Sequence, residues 1–427
     1  MAPIDPASRR RALGFLRGGL MAAASMALAP VSASGTGTDG TAQGLPPDVP
    51  EWMRHPGRSI LSPPYGVPSR YESGVVRRPP ADFAFPGAAE SLTPLQDLHG
   101  IITPNGLHYE RHHAGVPDID PDAHRLIVHG LVERPLIFTM NDLMRLPSVS
   151  RTHFLECAGN SWHLWEPEKV DPRWTVQHTH GLLSCCEWTG VRVADVLAEV
   201  GVKPAAQWVL AEGADAAAMD RSIPLAAMLD DAVLAYAQNG ERLRPEQGYP
   251  VRLLLPGFEG NTNVKWLRRL KLGDAPFESR EETSKYTELL PDGTALQFFF
   301  VMEAKSVITR PSGGQRLEGT GFHEIAGLAW SGRGRIRKVD VSTDGGESWH
   351  AAALQEPVMP KCLTRFRLPW TWDGRLALLR SRAEDETGYV QPTREQLAAV
   401  RGTNSHYHYN GIVTWRIDAA GAVSVAA

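Results

Sequence analysis

Four short segments carry side chains that could act together on a soft metal and an anion. Arg111-His112-His113 lies in HYERHHAGVP, and Cys157 ends the strand-like run THFLEC just before the turn Ala158-Gly159-Asn160. Gly248-Tyr249-Pro250-Val251-Arg252 continues through Pro256-Gly257 to Lys265-Trp266, and Lys285-Tyr286 follows. A single thiolate cannot hold a metal ion alone, so it suits a soft or oxophilic centre whose other ligands come from elsewhere. Arginine and lysine beside it would bind a phosphate or an oxyanion substrate through charge-assisted hydrogen bonds. Taken singly, each residue has a plainer reading. Cys157 would be a small buried thiol, Arg111 and Arg252 surface or ion-paired arginines, and His113 a loop histidine. That plainer reading also covers His112, His406 and His408. Trp162 and Trp165 read as packing residues that could also wall a pocket.

The rest of the composition narrows the class. The other cysteines are Cys185, Cys186 and Cys362. There is no CxxCH for a c-type haem and no CxxC pair for a zinc ribbon or an iron–sulfur cluster. Neighbouring Cys185 and Cys186 cannot bond each other without strain, and all three read as buried small side chains. The formal charge is −4, which gives no support to nucleic-acid binding. The first residues look like a targeting segment. Arg9-Arg10-Arg11 precedes an apolar run from Leu20 to Val31, and Val31-Ser32-Ala33 offers small residues for cleavage. Ala12 stands where the twin-arginine pattern prefers Phe. No later stretch is long and apolar enough to span a bilayer.

A chain of 427 residues is too long for one ordinary core. We read residues 1–33 as a twin-arginine signal peptide, 34–94 as an N-terminal extension, 95–300 as a catalytic domain and 301–427 as a β-sandwich. Residues 61–120 lack periodicity and read as irregular structure over the body. From Arg125 onward, strand-like runs alternate with short helical ones: a helix after Thr139, another over Val193–Val200 stopped by Gly201, and a buried strand at Val251–Leu255. This mixture predicts an α+β domain, and no GxGxxG supports a dinucleotide fold. After about residue 300, short strands with turn signals such as Asp344-Gly345-Gly346 predict the sandwich.

In combination these segments resemble the sulfite oxidase family over roughly residues 95–420. The resemblance rests on RHHAGVPDIDPDAHRL, HFLECAGN, SIPL, AYAQNGERL, GYPVRLLLPG, NVKWL and AWSGRGRIRKVDVSTDGGESW. It implies an α+β molybdopterin-binding domain followed by an immunoglobulin-like β-sandwich dimerisation domain. It implies molybdenum held by Cys157 and the dithiolene of molybdopterin, with His113, Arg252 and Lys265 holding the pterin. Arg111, Tyr286 and Arg416 would face the substrate, Arg416 being contributed by the second domain. Three departures accompany the resemblance. His112 replaces Asn, Ser161-Trp162 stands where sulfite oxidases carry arginine after AGN, and Gln247 replaces His. They point to the sulfane dehydrogenase branch of thiosulfate oxidation, acting in the periplasm on sulfur tethered to a carrier protein. That branch implies a dihaem c-type cytochrome partner in a homodimer or heterotetramer. The alternatives are a periplasmic sulfite dehydrogenase and, from another class, a non-catalytic binding or assembly protein.

Overall fold

The computed structural model describes Pro50, Met53, residues 65–79 and residues 89–426. The expected signal peptide and much of the N-terminal extension lie outside the described residues. The chain divides between Val67 and Pro68. Everything below belongs to the second unit.

Its first half is built on two five-stranded sheets. In one, Ser148–Glu156 pairs antiparallel with Leu183–Arg192, which pairs with Val233–Gln238; that strand also carries Glu241–Arg242 and Arg252–Leu254. In the other, Leu267–Gly273 lies between Leu126–Gly130, its one parallel neighbour, and Trp208–Gly213. The apolar faces of both sheets and the helix Val193–Val200 share a core containing Leu126, Val196, Leu253 and Leu270. That helix stops where the spacing predicts, because Gly201 takes φ 66°. The helix Met140–Arg145 is held at its start by a reciprocal cap, with the Thr139 side chain accepting from Asp142 N and Asp142 returning the bond.

The second half is a β-sandwich. One sheet joins Lys305–Arg310, Gly321–Trp330, Thr364–Trp372 and Ala353–Leu354. The other joins His350–Ala351, Ile336–Ser342, Ala377–Asp385, Thr414–Ile417 and Val423–Ala426. Strict alternation along Ala377–Asp385 buries every second residue between the sheets. The halves share one apolar core: Phe154, Leu183 and Cys185 pack in the same cluster as Val307, Trp330 and Cys362.

Residues 61–120 are not uniformly irregular. Ala89–Ser91 pairs antiparallel with Glu110–His112, setting Glu90 opposite Arg111. Strands of three residues are too short to leave a periodicity in the sequence. All four cysteines are free thiols. Cys185, Cys186 and Cys362 are buried, and Cys185 Sγ lies 3.5 Å from Cys362 Sγ.

Candidate active site

Cys157 sits where the strand Ser148–Glu156 ends, and the preceding residue anchors the turn. Glu156 is fully buried. Its carboxylate accepts from Lys305 Nζ at 3.0 Å, Trp330 Nε1 at 2.6 Å and Asn160 Nδ2 at 2.9 Å. Lys305 and Trp330 come from the sandwich, and Lys305 also donates to Ser161 Oγ at 2.9 Å. The turn is closed by Asn160 N donating to Cys157 O, with Ser161 in the left-handed region at φ 70°. Gly260 presses on it from the other side. A Cβ there would lie 3.2 Å from Cys157 Cα and 2.9 Å from Glu156 O, so the approach requires glycine.

Around the thiol lies a cavity whose lining includes Arg111, His113, Cys157, Arg252, Lys265 and Tyr286. Six of the seven residues expected from the sequence therefore meet. Arg416 does not. It lies on Thr414–Ile417 opposite Leu378 with its side chain exposed, because strand alternation turns Trp415 and Ile417 into the sandwich and Arg416 out of it. Its assignment to the substrate pocket is corrected on that ground.

The cavity also takes residues to which the sequence assigned no role: His108, Tyr109, Asp215, Met219, Asn261 and Trp266. His108 donates from Nδ1 to Tyr109 O at 2.9 Å, and burial lowers its pKa to about 3, so it is neutral with Nε2 left as an acceptor. Gln247 spends its amide on Tyr109 O at 3.0 Å.

Electrostatics divide the cavity into two ends. At one end Arg252 donates only to the carbonyls of Gln247 and Asn263, and Lys265 donates to Glu246 O. Burial lowers Arg252 to about 10, and burial with the nearby Arg252 charge lowers Lys265 to about 7. Neither cation has a carboxylate in hydrogen-bond contact, and Arg252 Nε has no partner at all. Such a pair needs an anion supplied from outside the chain. At the other end, burial raises Cys157 to about 11, opposed by the Arg111 charge. Arg111 pairs with Glu90 at 3.6 Å. His113 is lowered to about 4, by burial first and then by Arg111, so it stands neutral near physiological pH. Tyr286, at φ 49°, is held far above the usual phenol range by burial and stays a hydrogen-bond donor.

Tyr286 also rests on a buried ionic network that no motif signals. The Arg221 guanidinium lies 5.1 Å from its ring centroid. Arg221 is fully buried between Glu259 at 3.3 Å and Glu282 at 3.7 Å, and donates to Asn261 Oδ1. His408 joins at 3.0 Å from Glu259 and is raised to about 9. Burial opposes that rise; the bonds to Glu259 and Glu303 produce it. His408 N donates to Ala158 O at 2.8 Å, tying the network to the Cys157 turn.

Among the described residues no group of three or more His, Cys, Asp and Glu side chains could hold a metal. A metal at Cys157 would therefore draw its other ligands from a cofactor. The arrangement fits a phosphate-bearing dithiolene cofactor. One cavity is lined by the thiol, by buried Arg252 and half-buried Lys265 without a carboxylate in hydrogen-bond contact, and by neutral His113. Gly248, at φ 107°, brings the backbone close to Lys265 at the anion end.

Residues 113–281 match the family described as oxidoreductase molybdopterin binding domain, and residues 297–415 match the Mo-co oxidoreductase dimerisation domain. The chain belongs to the sulfite oxidase family of molybdenum-cofactor oxidoreductases. It is similar to the solved sulfane dehydrogenase SoxCD from Paracoccus pantotrophus, with 47% identity and a TM-score of 0.87, covering 90% of this chain and all of that one. It is 33% identical over 332 residues to the mitochondrial sulfite oxidase of Rattus norvegicus, covering 73% of this chain and 59% of that protein. With the NADH nitrate reductase of Ulva prolifera it shares 33% identity over 303 residues, 34% of that enzyme's length. The chain thus spans a little over half of the curated sulfite oxidases and about a third of the nitrate reductase.

Proposed function

We propose that this chain is the catalytic subunit of a SoxC-like sulfane dehydrogenase. It oxidises sulfane sulfur attached to a carrier protein and passes electrons to a c-type cytochrome subunit. Cys157 would ligate molybdenum, and Arg252, Lys265 and His113 would hold the pterin. When bound, the cofactor supplies oxygen-atom transfer and a two-electron sink; the chain supplies orientation and electrostatics. Arg111, steered by Glu90, holds an anionic oxygen of the substrate. Tyr286 donates its phenolic proton in a hydrogen bond toward the reacting oxygen, and its raised pKa keeps that proton in place. Neutral His113 accepts or donates without adding charge.

One observation carries the choice of substrate: Arg111, the guanidinium at the thiol end, is already paired with Glu90 at 3.6 Å. A site for a small free dianion gathers cations. This one is close to balanced, and the residues after its turn are Ser161 and Trp162. A sulfur already attached to a polypeptide brings less charge and suits it better. The twin-arginine-like segment of the sequence supports a periplasmic location, and the match of residues 297–415 to a dimerisation domain supports that role for the second half. The test is turnover of the purified enzyme with cytochrome c as acceptor. Carrier-bound sulfane sulfur should be oxidised at least about tenfold more efficiently than sulfite, a difference of about 1.4 kcal/mol in transition-state binding. Rapid turnover of sulfite with none of the carrier-bound form would make the enzyme a sulfite dehydrogenase instead.

A further inference from the structure

Cys185, Cys186 and Cys362 do not line the Cys157 cavity, and strand alternation sorts them. Cys185 and Cys186 are neighbours on Leu183–Arg192 and face opposite sides of the sheet. Cys186 turns into the cluster that holds Trp188 and Leu254. There its Sγ donates to Thr103 O at 3.4 Å and accepts from Gln238 Nε2 at 3.1 Å. Cys185 turns the other way, into the core shared by both halves. Its Sγ meets Cys362 Sγ at 3.5 Å, and both residues are buried.

Backbone bonds, not packing alone, bring Cys362 to that place. The loop 355–361 joins Ala353–Leu354 to Thr364–Trp372 and is exposed or half-exposed throughout. Its last residue, Lys361, runs along the free edge of Ser148–Glu156. The Lys361 carbonyl accepts from Phe154 N at 3.2 Å and from His153 Nδ1 at 3.1 Å. Phe154 is in register with Cys185 on the other side of that strand. Lys361 Nζ also pairs with Asp231 at 2.6 Å. The next residue, Cys362, is thereby set beside Cys185.

A core position asks only for a small apolar group, which alanine supplies; two facing sulfurs add the option of a bond. Closing from the observed separation to a bond of about 2.05 Å needs an approach of about 1.5 Å. We propose that Cys185 and Cys362 form a cystine site that ties the two halves together when the folded chain meets a disulfide oxidant. The Cys362 thiolate attacks an external disulfide, and one thiolate leaves it. The Cys185 thiolate then attacks the Cys362 sulfur, forming the Sγ–Sγ bond and releasing the second external thiolate. The cysteines lose two electrons and two protons, and the external disulfide takes up both to become two thiols. Cys362 leads because it borders the exposed loop, whereas Cys185 lies in an interior strand. Burial holds the Cys185 thiol well above its ordinary range, which keeps it from starting the exchange. The bond spans 177 residues of sequence and acts mainly by restraining the unfolded chain. It also holds the strand that ends at Cys157 against the sandwich that supplies Lys305.

The test uses the full-length, cofactor-loaded enzyme, reduced with dithiothreitol and then incubated with glutathione disulfide. The protein is unfolded in an alkylating reagent, and its intact mass counts the free thiols. Two of the four cysteines should escape alkylation, and a digest should yield a Cys185–Cys362 cross-link. Dithiothreitol should restore all four. Oxidation should raise the folded-to-unfolded ratio at a fixed denaturant concentration at least about tenfold. In Cys362→Ala, and separately in Cys185→Ala, glutathione disulfide should bring no such gain. Four alkylated thiols after oxidation overturn the proposal. A cross-link through Cys186 or Cys157, or glutathione retained on Cys362 without a cross-link, also overturns it. A Cys185–Cys362 cross-link that leaves resistance to denaturant unchanged overturns the tie between the halves.

Discussion

The two ends of the cavity treat charge in opposite ways. At the anchoring end, buried Arg252 and half-buried Lys265 have carbonyls for company and no carboxylate in hydrogen-bond contact. At the thiol end, Arg111 has Glu90, and Arg221 has Glu259 and Glu282. A buried cation without a counter-charge is costly in an empty protein and valuable in a loaded one. The first end is therefore built for an anion that stays. The second, already neutralised, is built for a ligand that comes and goes.

The largest effect should come from the thiol end. Cys157→Ser should leave the fold intact but lower bound molybdenum to below about a tenth of the normal content, because a hydroxyl is a poor substitute for a soft thiolate ligand. Metal analysis reads this directly, and full retention of metal with activity would remove Cys157 from the site. Next in size is the support behind it. Glu156→Gln removes one partner of the buried Lys305 pair and should cost about 3–5 kcal/mol in denaturant unfolding. Adding Lys305→Met should recover part of that loss; if it recovers nothing, the charge pairing is not what holds the turn.

Tyr286→Phe should lower kcat about a hundredfold while leaving metal content unchanged, since it deletes one donor at the reacting oxygen. Equal losses in kcat and in cofactor content would make the residue structural. The smallest effect sharpens the contrast most. Lys265 is lowered to about 7 in the folded state against an ordinary value near 10.4. Between these values the unfolded chain binds the extra proton, so stability should rise with pH from about 7 to about 10 in cofactor-free protein. Measured as the difference from Lys265→Met, which cancels the opposite slope from His408, this rise should flatten once the cofactor's phosphate is bound. A rise of equal size in loaded protein would mean that Lys265 does not meet the anion.

What the sequence disclosed follows from where chemistry leaves a local mark. Cys157, Arg111, Arg252 and Lys265 stand in recognisable runs beside strands and turns, and the cavity gathers them. Arg416 also stands in a recognisable run, but strand alternation faces it to solvent. Arg221, Glu259 and Glu282 stand in no run that signals chemistry and His408 has only its plainer reading, because only folding brings segments near residues 220, 260, 280 and 408 together in the interior. Gly260 matters through its close approach to the Cys157 turn, and Asn261 through the bond it accepts from Arg221, which no spacing announces. The pairing of Glu90 with Arg111 depended on two three-residue strands, below the length at which alternation is legible.

Glu156 makes the metal site a property of the whole chain. Its carboxylate is neutralised by Lys305 of the first sandwich strand, so a first half made alone would leave that charge without its partner one residue from the proposed ligand. The apolar strand before it would also lose the partners in the shared core. A competent Cys157 turn therefore exists only after the C-terminal half has docked. A chain that ends before Lys305 is therefore expected to bind no molybdenum, which metal analysis of that fragment beside the full chain would read.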